Sequence, residues 1–167
     1  MRDRSRPLVT GKGHWLRPTK RVLRPKHFLF LDTETQVVGK DKATEWHQFR
    51  LGWTCYHRRR GGKRKPTEVW TLHEDPREMC RAVVARAQEK ETLWVFASNP
   101  SFDLWVLGWY WRLYEWGWRA SFLVDDGLRF ILTCTLDKRT ISVVAIQNYY
   151  PTSVAALGKM LGTPKLS

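Results

Sequence analysis

A chain of 167 residues, 43% hydrophobic and with ten tryptophans, is long enough to bury one core and too apolar for a disordered tail. Its formal net charge of +13 is unevenly placed: residues 1–26 carry nine Lys or Arg against one Asp, 58–65 carry six more cations, and the other 133 residues net −1. Three widely spaced cysteines exclude a disulfide framework, Cys55-x-His57 has no second pair at zinc spacing, and no apolar run reaches membrane-spanning length or forms a signal-peptide core. The expectation is an intracellular protein with no membrane partner, whose basic segments favour a polyanion, most simply nucleic acid.

Residues 1–26, rich in Arg, Pro and Gly, read as a basic arm that orders on binding, or as a solubilising tail. His27–Leu31 then runs without alternation into Asp32-Thr33-Glu34-Thr35. It predicts a strand buried on both faces, with Asp32 and Glu34 projecting from one face at its end. Two adjacent carboxylates suit a divalent cation, and a solvated turn is the other reading. Residues 36–45 read as a loop, and Gln48–Tyr56 as a strand. Arg58, Arg59, Arg60, Lys63, Arg64 and Lys65 surround Gly61-Gly62 in a hairpin tip leading to a strand over 68–72. That charge run either meets nucleic acid or is a solvated loop.

Asp75-Pro76-Arg77-Glu78 has the cap, first-turn proline and acid of a helix start, with Met79, Val83 and Ala87 as its apolar stripe. Thr92–Ala97 predicts a second buried strand, breaking at Asn99-Pro100 into a helix capped by Asn99 or Ser101, with Asp103 in its first turn. Phe102, Trp105, Val106, Trp109, Leu113 and Trp116 recur at helical spacing; the stripe reads as a core face, with a base-stacking platform as the other reading, Phe102 excepted because it adjoins Asp103, and Gly117 stops the helix. Residues 129–136 and 140–146 predict a hairpin around Asp137-Lys138-Arg139, with Asp125, Asp126 and Asp137 as turn residues. The last element is a short capped helix with Val154, Leu157 and Leu161 as its buried stripe.

The order D-x-E-T (Asp32 to Thr35), then N-x-x-F-D (Asn99 to Asp103) at a strand-to-helix junction, resembles the DEDD family of 3′→5′ exonucleases. Within it, the chain is most similar to the proofreading domain of family-B DNA polymerases of the protein-primed, viral and organellar-plasmid type. The resemblance implies an RNase H-like α/β fold over 27–167, a mixed sheet flanked by helices. It implies two Mg²⁺ or Mn²⁺ ions held by the catalytic carboxylates Asp32, Glu34 and Asp103, with Asp32 bridging both. Thr35, Asn99 and Phe102 match positions that hold an unpaired 3′ end. Ser153 and Val154 stand at a Ser-Leu landmark, Val replacing Leu, with Lys159 further along that helix as a further strand contact. An acid often found upstream of the landmark is absent, Ala145 standing near its place.

The resembled chemistry uses a fourth carboxylate, in a Tyr-x-x-x-Asp or His-x-x-x-x-Asp motif after that landmark, and the sequence holds none there. The implied protein is therefore the front of a longer DNA polymerase, cut before its last exonuclease motif, or a complete small protein that binds without cutting. In the first case it acts in DNA replication on a single-stranded 3′ end or primer-template, beside a polymerase module of the same chain. In the second it is a non-catalytic nucleic-acid-binding module. An RNA-degrading member of the same superfamily stays open as a third reading.

Overall fold

The computed structural model describes residues 25–40, 44–59, 65–127 and 129–163. β1 (His27–Lys40), β2 (Glu45–Arg58) and β3 (Thr67–His73) form an antiparallel meander. α1 (Pro76–Val84) leads to β4 (Thr92–Ala97), which lies parallel to β1. α2 (Pro100–Val106) and α3 (Trp109–Glu115) lead to β5 (Arg119–Asp125). β6 (Phe130–Leu136) and β7 (Arg139–Ala145) continue β5 antiparallel, and β7 joins β4 in parallel. A short 3₁₀ turn, Ile146–Asn148, precedes α4 (Val154–Met160). The fold is α/β, with one mixed sheet ordered β3-β2-β1-β4-β7-β6-β5.

Side chains alternate along a strand, so the sheet has two unlike faces. Leu29, Leu31 and Thr33 of β1 share one face with Tyr56, Thr54 and Gly52 opposite them on β2, and with Leu93, Val95 and Ala97 of β4. α1, α2 and α3 supply the other side of this core through Met79, Val83, Leu104, Trp109 and Leu113, all buried. Burying each such side chain is worth about 1.5–3 kcal/mol. Contact is close enough that a Cβ at Gly52 would run into the sulfur of Met79. α1 starts as its sequence dictates: the Asp75 carboxylate accepts the Glu78 N–H at 2.7 Å, and Pro76 occupies the first turn. Helix α1 ends at Val84, so Ala87 is buried beyond it.

Five sequence expectations change. β1 is not buried on both faces: Leu31 is 3% exposed and Phe30 44%, because the helices of the core cover one face only. Nor does it end after Glu34. It runs through the expected loop to Lys40, its ladder with β2 kept by register shifts at Glu34/Thr35 and Val37/Gly39. The expected helix after Pro100 is two, because Gly108 sits in the left-handed region at φ +59 and breaks it. Trp109 then turns fully inward, while Trp105 is left 65% exposed. β5 is an edge strand where none was predicted, and the α4 stripe is not buried: Val154 and Leu161 are exposed, Leu157 half-buried. Gly117 does close α3 with positive φ, and Asp137-Lys138 makes the predicted hairpin turn, Asp137 at φ 51.

Candidate active site

The site forms where β4 leaves β1. Their parallel ladder runs from Phe28↔Trp94 to Leu31↔Ala97 and stops there. Pro100 opens α2 just beyond, and the helix carries Asp103 back beneath the vacated edge of β1. Thr33 donates its hydroxyl to Asp103 Oδ1 at 2.6 Å, and backbone hydrogen bonds at Thr33 and Asn99 reach the same carboxylate. These bonds satisfy polar groups at an edge that β4 no longer covers.

Asp103 is only 3% exposed, and its burial pushes the carboxyl up to about 6. Thr33's hydroxyl bond pulls it down, and the charge of Asp32 pushes it up again. Asp32 and Asp103, 71 positions apart, thus act on one another across the end of the strand.

A second link joins the two sequence motifs. The Thr35 hydroxyl and His47 Nδ1 are 3.0 Å apart in a hydrogen bond, and the His47 ring meets Phe102 edge-on at 5.7 Å between centroids. Two residues expected at a bound 3′ end therefore converge on His47, which the sequence reading did not single out. Only the strand register brings His47 there, and that register depends on the shift at Glu34/Thr35.

By alternation, Asp32 and Glu34 stand on the face turned away from α1, α2 and α3, opposite Trp53 and Leu51 of β2. Asp32 lines a hollow of about 240 Å³ with Phe30, Trp53, Ser98, Ile146 and Val154. Val154 so shares a wall with Asp32. Ser153 caps α4, accepting the Ala156 N–H at 3.2 Å, and Lys159 is exposed in that helix's last turn. Asn99 holds the cap position of α2 but makes no side-chain cap bond. Ser101 instead donates to Asp125 Oδ2 at 3.0 Å, so Asp125 ends β5 and ties it to α2 and is not a turn residue. Asp126 is a turn residue, paired with Arg129 at 2.7 Å.

Arg58 ends β2 half-buried, and Arg59 and Lys65 are exposed. Arg60, Lys63 and Arg64, like the basic arm up to residue 24, lie outside the described residues.

A buried carboxylate whose proton affinity is raised by burial and further by a neighbouring carboxylate fits a divalent cation, whose charge would relieve it. Among the described residues, no three His, Cys, Asp or Glu side chains come together to hold one ion. The donor set on hand is thus the Asp32–Asp103 pair, with Glu34 on the Asp32 face. The three cysteines are free and buried, and burial pushes the Cys80 thiol up to about 12, which leaves no activated thiol among them. No helix among the described residues is long and apolar enough to cross a membrane. No family model, curated protein or solved structure matches this chain.

Proposed function

We propose that residues 27–167 form an RNase H-like nuclease domain that removes nucleotides 3′→5′ from single-stranded DNA, as the proofreading part of a family-B DNA polymerase does. The observation that carries the reading is the buried Thr33–Asp103 bond beside Asp32, which joins the D-x-E-T stretch to the N-x-x-F-D stretch. The antiparallel β1–β3 meander, with β4 and β7 following in parallel, supports the fold.

Asp32, Glu34 and Asp103 would hold Mg²⁺ or Mn²⁺, which when bound supplies a water of lowered pKa and neutralises the leaving oxygen. Thr33 fixes the orientation of the Asp103 carboxylate. Thr35, His47 and Phe102 form a wall against which a terminal nucleotide is positioned. Val154 closes the hollow from the α4 side. Three carboxylates are one fewer than the resembled chemistry uses, so trimming is slow.

Calorimetric titration of Mn²⁺ into wild type, Asp32→Asn and Glu34→Gln tests the site, followed by assay on a 5′-labelled single strand of DNA and one of RNA. Weak binding is expected in wild type, none in Asp32→Asn, and slow shortening from the 3′ end of DNA alone. Equal Mn²⁺ affinity in wild type and Asp32→Asn would remove Asp32 from the site. Shortening of RNA alone would move the substrate class.

A second reading, a nucleic-acid-binding module without catalysis, is favoured by one observation: Asp103 already satisfies the open edge of β1 as a structural acceptor. It predicts strand binding that neither needs Mn²⁺ nor ends in shortening.

A further inference from the structure

We infer that the face of the sheet turned away from α1, α2 and α3 is a stacking trough for the unpaired bases of a single strand, running from a cationic end at Arg59 and Lys65 to Asp32. The trough itself does not depend on the nuclease reading; only the placing of the strand's 3′ end at Asp32 rests on it.

The face carries a groove of about 810 Å³ floored by Phe28, Phe30 and Phe96 and walled by Tyr149 and Tyr150. Phe30, Phe96 and Ile146 also line the smaller hollow, so the two are continuous and the second ends at Asp32. The rings touch one another across four segments of the chain. Phe28 stacks on His57 at 4.6 Å, Phe30 tilts against Phe96 at 5.8 Å, and Phe96 meets Tyr149 at 6.5 Å. A ring carpet of this kind normally lies under a helix. Here Phe30, Tyr149 and Tyr150 remain exposed, and α4 contributes only Leu157 to the groove wall.

Charge decides the occupant. Arg59 lines the groove and Lys65 is exposed beside its Pro66 rim, while Glu68 on the same face is occupied by the Trp70 indole N–H at 2.7 Å. Aromatic faces with cations at one end match a strand of stacked bases on an anionic backbone, and an apolar helix from another protein has no use for those cations. The dimensions agree. Phe28 to Asp32 spans about 13 Å of strand, room for about four bases at the ~3.4 Å stacking repeat.

The test uses the full chain in chelator, with fluorescence anisotropy on two labelled probes. One is an oligothymidylate of about twelve nucleotides, the other an abasic oligomer of equal phosphate number. Stacking predicts that the base-bearing probe binds about tenfold tighter or more. Phe30→Ala and Tyr149→Ala should each weaken it by about 5- to 100-fold and leave the abasic probe unchanged.

Phe30 is exposed, so the fold survives its truncation, checked by thermal melting. Phe30→Leu, which keeps apolar bulk and loses the ring face, should show the same selective loss. Equal affinity for the two probes, or base-bearing affinity indifferent to Phe30→Ala and Phe30→Leu, overturns the proposal. So does a wild-type dimer that Phe30→Ala dissociates without changing strand affinity, which would make the face an interface between copies. Phe30-dependent binding in a chain that never shortens DNA would sink the nuclease reading and leave the trough standing. Shortening with Phe30-independent affinity would do the reverse.

Discussion

Leu29, Leu31 and Thr33 lie on one face of β1, and Phe28, Phe30 and Asp32 on the other, so the same six residues serve two surfaces of opposite character. The helix-covered face is mostly aliphatic, sealed by α1, α2 and α3, and its buried hydroxyls are hydrogen-bonded at Thr33 with Asp103 and at Thr54 with His73. The free face is aromatic and charged, and its apolar rings stay partly in water. The pleat thus separates a sealed surface from an open one within single strands. Asp103 and Thr33 are where the two surfaces exchange influence, because β4 ends there and opens the edge between them.

The largest expected effect tests that division directly. Leu31→Ala should cost about 2–5 kcal/mol in denaturant unfolding, through lost burial and the cavity left behind. Phe30→Ala, one residue away on the free face, should cost about 1 kcal/mol or less, since much of its ring is already hydrated. Equal losses would mean that the free face is sealed in solution and that the two surfaces do not differ.

Next comes the group between the faces. Burial pushes the Asp103 carboxyl from its ordinary 3.8 up to about 6 in the folded state. The native state therefore holds the extra proton between those values, and the group's contribution to stability falls as pH rises from about 4 to 6. It stays low above that. The deficit at neutral pH is on the order of 3 kcal/mol, as an upper figure for a buried carboxylate. Asp103→Asn keeps a carbonyl for the Thr33 hydroxyl and removes the charge. In chelator it should therefore be more stable than wild type at pH 7, with the advantage gone at pH 4, while losing Mn²⁺ binding. A stability difference independent of pH would show that burial does not raise the Asp103 carboxyl. Gain of stability with loss of ligand is the signature of a functional residue held at a structural cost.

The covered face is also where the sequence was most legible. The bounds of β4, the Asp75 cap and the Asp137-Lys138 turn follow from local chemistry: an apolar run, a carboxylate before proline, and a residue type that tolerates positive φ. The pairing of Asp32 with Asp103 was legible as motif order, and its bridge through Thr33 was not, because Thr33 looks like a spacer until the ladder with β4 is known to end at Leu31. Elements on the open side carried weaker signals. The polar end of β1 is held by its ladder with β2 and not by burial, so its composition reads as loop. β5 is an exposed edge whose Arg119 and Asp125 frame an unremarkable apolar run. His47 reached Thr35 and Phe102 through a register shift at Glu34/Thr35 that no periodicity announces.

The smallest effect sharpens the comparison, because the same capping chemistry occurs on both sides of it. Asp75 caps α1, which buries Met79, Cys80 and Val83 in the core. Ser153 caps α4, which buries nothing. Removing either side chain costs its helix about 1 kcal/mol of hydrogen bonding and helix-terminus stabilisation. α1 cannot unravel without exposing the core, so Asp75→Ala should lower global unfolding stability by that full amount. α4 can open alone, so Ser153→Ala should leave the global value within about 0.5 kcal/mol. Its loss should surface instead as roughly fivefold faster hydrogen exchange at the Leu157 and Leu161 amides, which bond to the Ser153 and Leu157 carbonyls at 2.9 and 3.0 Å. Equal global losses from the two substitutions would bind α4 into the cooperative core. The free face would then have a fixed helical wall, and strand entry to the trough would have to come from the β3 side.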